Sequence, residues 1–315
     1  MYNDRSICHN IFLLWAFSTA LTAQSDSCLV RQIPVSVTDQ KGRFVSDLTA
    51  SDFRAQIGGS RTNVTAVTRG FTRRVILLLD VSSSMKTSPL DWQSILSFTR
   101  NVAIATPAKI SIAFLTFDDD TQVVSGFDRP RAELLQKVSE LATVALKKNS
   151  KANTALLDAI KTSTALLEPI QSGDAIFVVT DGQENSSMEK EPQLQRYLLS
   201  AGVRVFGVIG VDTLRARVLG LGPSPLGADP TPNVFDTTGG LSVRLSWEVA
   251  GGRNTFHPEL SRDALAMLLQ EMTTWYQVQI TLGQPIHKYF PLDIEARKSG
   301  GSLLLRFPRK VAPCQ

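Results

Sequence analysis

The apolar positions of this chain change rhythm twice. From Leu29 to Gly70 they alternate with polar ones. Ile33, Val35 and Val37 stand on every second position, a Lys41-Gly42 turn follows, and Asn63 to Val67 alternates again. A period of two belongs to a strand with one face in a core, so this segment is expected to be β. At Arg73 the pattern becomes continuous. Val75 to Leu79 is a solid apolar run, as a strand needs when helices cover both faces of a parallel sheet. Ile110 to Phe117, Ala175 to Thr180 and Val203 to Ile209 have the same character. Between and after them, Leu134/Leu135/Val138/Leu141, Leu156/Ile160/Leu167, Leu194/Tyr197/Leu198/Ala201 and Leu265/Leu268/Leu269/Met272 keep the spacing of amphipathic helices. After Trp275 the period of two returns, over Tyr276 to Thr281, Leu292 to Ile294 and Ser302 to Phe307.

Strands alternating with helices predict an α/β fold, a doubly wound and mostly parallel sheet with helices on both faces. That unit is expected over 73–275. The β-rich segments 24–72 and 276–315 are expected to pair with each other into a small β domain. Leu241 to Val249 fits a strand by its alternation and a helix by Leu241, Leu245 and Val249. Gly220 to Asn233 is dense in Pro and Gly and reads as a loop.

Composition narrows the chemistry. Of 315 residues, 43% are hydrophobic and 20% charged, which excludes a disordered or polytopic membrane chain. Lys+Arg 33 against Asp+Glu 29 gives a net charge of +4 without a basic stripe, which argues against nucleic acid as a partner. Three His and three Cys are too few for a zinc cluster of the usual spacing. Carboxylates and hydroxyls remain as the carriers of function.

Ile11 to Ala23 is uncharged, mostly apolar and too short to span a bilayer comfortably, and it contains the small residues Ala20 and Ala23. Residues 1–23 are therefore expected to be a signal peptide, with a buried N-terminal helix as the alternative. Cleavage would leave a secreted or periplasmic chain with no stable membrane span. It would also leave Cys28 and Cys314, either as a disulfide or as two separate thiols near the ends.

In open α/β sheets ligands sit at the carboxyl ends of the strands. The first continuous run exits into Asp80-Val81-Ser82-Ser83-Ser84, a later one into Asp181-Gly182, and Thr154 opens a helix. Asp80, Ser82 and Ser84, at i, i+2 and i+4, can aim three oxygens at one point, and oxygens are what Mg²⁺ takes as ligands. Taken singly, Ser82, Ser84 and Thr154 also read as helix N-caps and Asp181-Gly182 as a turn. Asp118, Asp119 and Asp120 read first as a solvated acidic turn, with an extra cation site as the alternative.

The set Asp80-x-Ser82-x-Ser84, Thr154, Asp181-Gly182 resembles the metal-ion-dependent adhesion site (MIDAS) of von Willebrand factor type A domains. That resemblance implies Mg²⁺ or Mn²⁺, with Ser82, Ser84 and often Thr154 coordinating directly. Asp80 and Asp181 would act directly or through water, and a carboxylate of a partner protein would complete the shell. Val35 to Gly42, Asp47-Leu48-Thr49 and Asp52-Phe53 resemble the N-terminal part of secreted bacterial "VWFA-related" proteins. Gly251-Gly252-Arg253 and Tyr276-Gln277-Val278 resemble their C-terminal part. The site loop reads Ser-Ser-Ser where the family more often has Ser-Gly-Ser, Asn153 stands where a Gly often precedes the Thr, and Gly220 to Asn233 reads as an insertion.

The function expected from this is an exported, non-enzymatic binding module. A Mg²⁺-dependent phosphohydrolase is disfavoured, because Ser82 stands where that chemistry needs an acid two residues after the Asp. No Walker A, dinucleotide or G-x-S-x-G motif is present. In a further alternative the metal is structural and the β domain carries the interaction.

Overall fold

The computed structural model describes residues 28–86, 89–144, 153–212, 233–250, 253–255, 258–298 and 302–314. The expected signal peptide 1–23, Gly251-Gly252 and all of the Pro/Gly-rich loop except Asn233 lie outside the described residues. The chain starts with β1 (Val30–Thr38), β2 (Phe53–Ile57) and β3 (Ser60–Phe71). It then enters an α/β series: β4 (Arg74–Asp80), α1 (Pro89–Ala105), β5 (Ser111–Phe117), β6 (Thr121–Ser125), α2 (Arg131–Val144), α3 (Leu156–Leu166), β7 (Ala175–Thr180) and α4 (Glu191–Ala201). The series continues through β8 (Arg204–Asp212), the short α5 (Val234–Thr237), β9 (Ser242–Ala250), β10 (Arg253–Thr255) and α6 (Pro258–Thr273). Helix α6 runs straight into β11 (Thr274–Thr281), followed by β12 (Phe290–Ala296), β13 (Leu304–Arg306) and β14 (Lys310–Val311).

Strands of the series form one sheet in the order β10-β9-β8-β7-β4-β5-β6. Its five inner strands are parallel and both edges antiparallel. The doubly wound arrangement follows from β4 itself. Val75, Leu77 and Leu79 face a core made with α1, α2 and α6, while Ile76 and Leu78 face one made with α3, α4 and α5. Each such side chain, fully buried, contributes about 1.5–3 kcal/mol. The ambiguous segment Leu241 to Val249 is a strand, because β9 extends the sheet alongside β8 from Gly207↔Ser242 onward. The continuous-run reading left out α1, whose Trp92, Ile95, Leu96 and Val102 fall on one helical face, and the edge strand β6.

Both ends of the chain make a second sheet, ordered β13-β1-β11-β3-β2-β12-β14, in which every pairing is antiparallel. Strand β11 from the far end lies between β1 and β3 from the near end. This is the expected small β domain, and it carries its own core of Val35, Val37, Tyr276, Val278 and Ile280 with Phe53 and Ile294. A disulfide joins Cys28 to Cys314 across 286 residues of sequence, with the two Cα atoms 5.5 Å apart.

The two sheets meet where the chain crosses between them. Thr72 Oγ1 donates to the Met272 carbonyl at 2.6 Å, which ties the outward crossing to the return. Gly70 lies flat on the Trp275 ring, where a Cβ would approach the indole to 2.6 Å. Arg204, buried between the Phe206 and Trp275 rings at 5.1 and 5.0 Å, donates to the carbonyls of Glu271 and Met272. Burial pushes its guanidinium down to about 9, opposed by Glu271, and it stays charged at neutral pH. The buried Glu271 in turn accepts from Arg306 of β13 at 2.6 Å.

Candidate metal centre

Strand β4 has β5 on one side and β7 on the other, and the chain crosses from one side to the other between them. The crevice at its carboxyl end is thus a topological switch point, the place where such sheets bind ligands. Asp80 is the last residue of β4 and is wholly buried. Its Oδ1 accepts from the Ser82 N–H at 2.9 Å and its Oδ2 from the Thr180 hydroxyl at 2.7 Å, so the strand end and the site loop are locked together. Ser82 Oγ and Ser84 Oγ are 3.0 Å apart. The local i, i+2, i+4 spacing thus brings the Ser82 and Ser84 hydroxyls together in the loop that Asp80 holds.

Asp181 follows Thr180 at the end of β7, and Gly182 takes the left-handed conformation (φ +78°) that turns the chain away. The Asp181 carboxylate accepts from the Gln183 N–H at 3.0 Å. Burial first, and repulsion from Asp181 second, push the Asp80 carboxyl up to about 7. The repulsion of Asp181 on the buried Asp80 carboxylate is an electrostatic cost that a divalent ion would remove.

Thr154 sits two residues before α3, also wholly buried. Backbone bonds fix it from both sides. The Thr154 N–H donates to Asn185 Oδ1 at 2.8 Å, and the Asn185 N–H donates back to the Thr154 carbonyl at 3.1 Å. The next residue, Ala155, donates to the Asp118 carbonyl at 2.8 Å, while Val81 N–H donates to the Phe117 carbonyl at 2.8 Å. These bonds tie the loops after β4, β5 and β7 to the start of α3. Thr154 Oγ1 itself is buried without a hydrogen-bond partner. Such a group costs about 1–3 kcal/mol, so it calls for a ligand. A hard cation fits this donor set: hydroxyl and carboxylate oxygens only, with one hydroxyl left open. Among the described residues no group of three or more His, Cys, Asp and Glu is placed to hold a metal. Hydroxyls outnumber carboxylates in the set gathered here.

Asn185 and Thr180 are the residues of this centre that sequence reasoning missed. Asn185-Ser186-Ser187 matches the glycosylation acceptor pattern, which gives no hint of this role, and Thr180 is in the sequence only the residue before Asp181. Asp118, Asp119 and Asp120 join β5 to β6 in a turn closed by Asp118 N–H to the Asp120 carbonyl at 3.2 Å.

A mostly parallel, doubly wound sheet with hydroxyls and carboxylates at the switch point defines an α/β fold whose candidate site is rich in oxygen donors. Residues 75–220 match the family model of the von Willebrand factor type A domain. Domains of this family are as a rule protein-interaction modules rather than enzymes. No curated protein matches the chain. Similar solved structures include a von Willebrand factor type A protein from Catenulispora acidiphila, at 13% identity and TM-score 0.45, covering 85% of this chain and 75% of that one. Another is the conserved hypothetical protein BatB from Bacteroides thetaiotaomicron, at 15% identity and TM-score 0.44, covering 63% and 98%. A third is proximal thread matrix protein 1 from the mussel byssus, described with a zinc-occupied MIDAS motif, at 14% identity and TM-score 0.45, covering 67% and 49%. Among the described residues no helix is long and apolar enough to cross a membrane.

Proposed function

We propose that this protein is an exported, non-enzymatic binding module that holds Mg²⁺ or Mn²⁺ with Asp80, Ser82, Ser84, Thr154 and Asp181 and uses the ion to capture a carboxylate of a partner protein. The reading takes 73–275 as the type A domain and joins 24–72 with 276–315 into the β domain that closes it. The open, buried hydroxyl of Thr154 is the observation that carries it. Both oxygens of Asp80 are already engaged by Ser82 and Thr180. Asp80 therefore serves the ion through water, while Ser82, Ser84 and Thr154 reach it directly. An ion held largely by neutral hydroxyls keeps enough positive field to attract an acidic side chain, and excluding water around the contact strengthens that attraction. The disulfide suits an oxidising compartment, secreted or periplasmic.

Thermal melts in EDTA and then in Mg²⁺ or Mn²⁺ test the centre. Metal at about 100 times its dissociation constant stabilises the native state by about 2.7 kcal/mol, a rise of about 5 °C for a chain of this size. Asp181→Ala is expected to show no rise. A flat response in the wild type sinks the metal reading and moves the interaction to the β domain.

A further inference from the structure

We infer that Thr180 holds the Asp80 carboxylate back from the ion and thereby sets how strongly the ion attracts a partner's carboxylate. The inference rests on the metal-capture reading and names a residue that tunes it. Thr180 is the last residue of β7 and is buried, and Asp80 is the last residue of the neighbouring β4. The backbone ladder between these strands runs as far as Leu79↔Val179. One step further on, the Thr180 hydroxyl donates to Asp80 Oδ2 at 2.7 Å. A side-chain bond therefore joins the two strands at the mouth of the crevice, where the backbone bonds end.

The direction of that bond is fixed. A hydroxyl has one proton to give. The Gly182 N–H donates to Thr180 Oγ1 at 3.0 Å, which leaves the hydroxyl proton for Asp80. The backbones at both ends are anchored on their outer sides, Thr180 opposite Ile209 of β8 and Asp80 opposite Phe117 of β5. The other Asp80 oxygen accepts from the Ser82 N–H at 2.9 Å. Turning either oxygen onto the ion gives up a hydrogen bond to a wholly buried carboxylate. Asp181 is held differently. Among the described residues, one of its oxygens accepts from the Gln183 N–H of its own turn and the other has no donor.

The consequence is electrostatic. A carboxylate bound directly to a divalent ion fills a coordination position and offsets part of the ion's charge. With Asp80 kept on Ser82 and Thr180, that position and that charge stay available to an incoming acid. Thr180 is a positioning residue, uncharged and acting through Asp80. Its removal is expected to move metal affinity and carboxylate capture in different directions, which a mere loss of packing does not do.

Thr180→Val removes the hydroxyl at nearly constant shape, and Thr180→Ser keeps it. Mg²⁺ affinity is read by titration calorimetry on the full chain. Capture is read in saturating Mg²⁺ with a short immobilised peptide that carries one aspartate among glycines and no free terminal carboxylate, beside its asparagine counterpart. Thr180→Val is expected to bind Mg²⁺ at least as tightly as the wild type but the aspartate peptide about tenfold more weakly, about 1.4 kcal/mol. Thr180→Ser is expected to match the wild type in both. Should Thr180→Val not fold, Thr180→Ala is expected to show the same split. A parallel loss of both affinities makes Thr180 a structural prop and overturns the inference, and so does wild-type behaviour in both. A wild type that binds no Mg²⁺ removes the metal-capture reading, and the inference with it. A wild type that binds Mg²⁺ yet treats aspartate and asparagine alike overturns the inference and leaves the metal centre standing.

Discussion

In the parallel sheet, β4 buries both of its faces, Val75, Leu77 and Leu79 on one side and Ile76 and Leu78 on the other. In the antiparallel sheet, β2 buries Phe53 and Ala55 but leaves Arg54 and Gln56 exposed. The first sheet is covered by helices that come between its own strands in the sequence, so its folding is mostly local. The second is knitted from the two ends of the chain, with partners such as Val35 and Tyr276 far apart in sequence. Closing so long a loop costs entropy before any contact repays it. The difference teaches where covalent help is worth most: the disulfide lies at the margin of the sheet whose strands come from opposite ends of the chain, and the candidate metal centre lies in the sheet built from successive segments.

Reduction, or Cys314→Ser, is the strongest way to break that contrast. In the chain-entropy model a loop of this length contributes up to about 5 kcal/mol. The loss is expected in the antiparallel sheet alone. Hydrogen exchange is expected to show β1, β11 and β12 amides losing protection while β4 and β7 amides keep theirs. An equal loss in both sheets would mean that they unfold as one unit and that the contrast has no energetic meaning.

Arg204 decides how far the two sheets are coupled. It stands on β8, lies between a ring of its own sheet and the Trp275 ring of the other, and faces Glu271, which Arg306 of β13 also holds. Arg204→Met removes one cation from a buried carboxylate, at a cost of about 3 kcal/mol. A single urea transition in the wild type is expected to split into two in the variant. A single, nearly unshifted transition would show that Thr72 and the Trp275–Gly70 contact suffice to couple the sheets.

What could be read in the sequence follows the same division. Val75 to Leu79 and Ala175 to Thr180 announce themselves because a strand covered on both faces has no room for polar residues. Asp80, Ser82 and Ser84 are equally plain, since their convergence is set within one short loop. Helix α1 is blurred by polar residues on its inner face. Thr99 is wholly buried there because its hydroxyl bonds back to the Ile95 carbonyl at 2.8 Å. Strand β6 is an edge with a half-exposed Val123, so its residues need not be apolar. Arg204 and Asn185 were hidden for a different reason: their partners come from other elements, and spacing within the chain carries no trace of that.

Asn185 gives the finest test, confined to the parallel sheet. It joins the Asp181 loop to Thr154 by a reciprocal pair of bonds across 31 residues, and only one of the pair uses its side chain. Asn185→Ala leaves the Thr154 N–H without its acceptor, a loss of about 1 kcal/mol. If Thr154 must be held in place to reach the ion, that loss appears as about fivefold weaker Mg²⁺ binding by titration calorimetry. Protection of β1 and β11 is expected to stay at the wild-type level. Asn185→Asp keeps an acceptor at the same position and adds negative charge beside the cation, so its Mg²⁺ affinity is expected to equal or exceed that of the wild type. Wild-type affinity in Asn185→Ala would show that α3 alone positions Thr154, and that the loops after β4 and β7 complete the site without being tied to it.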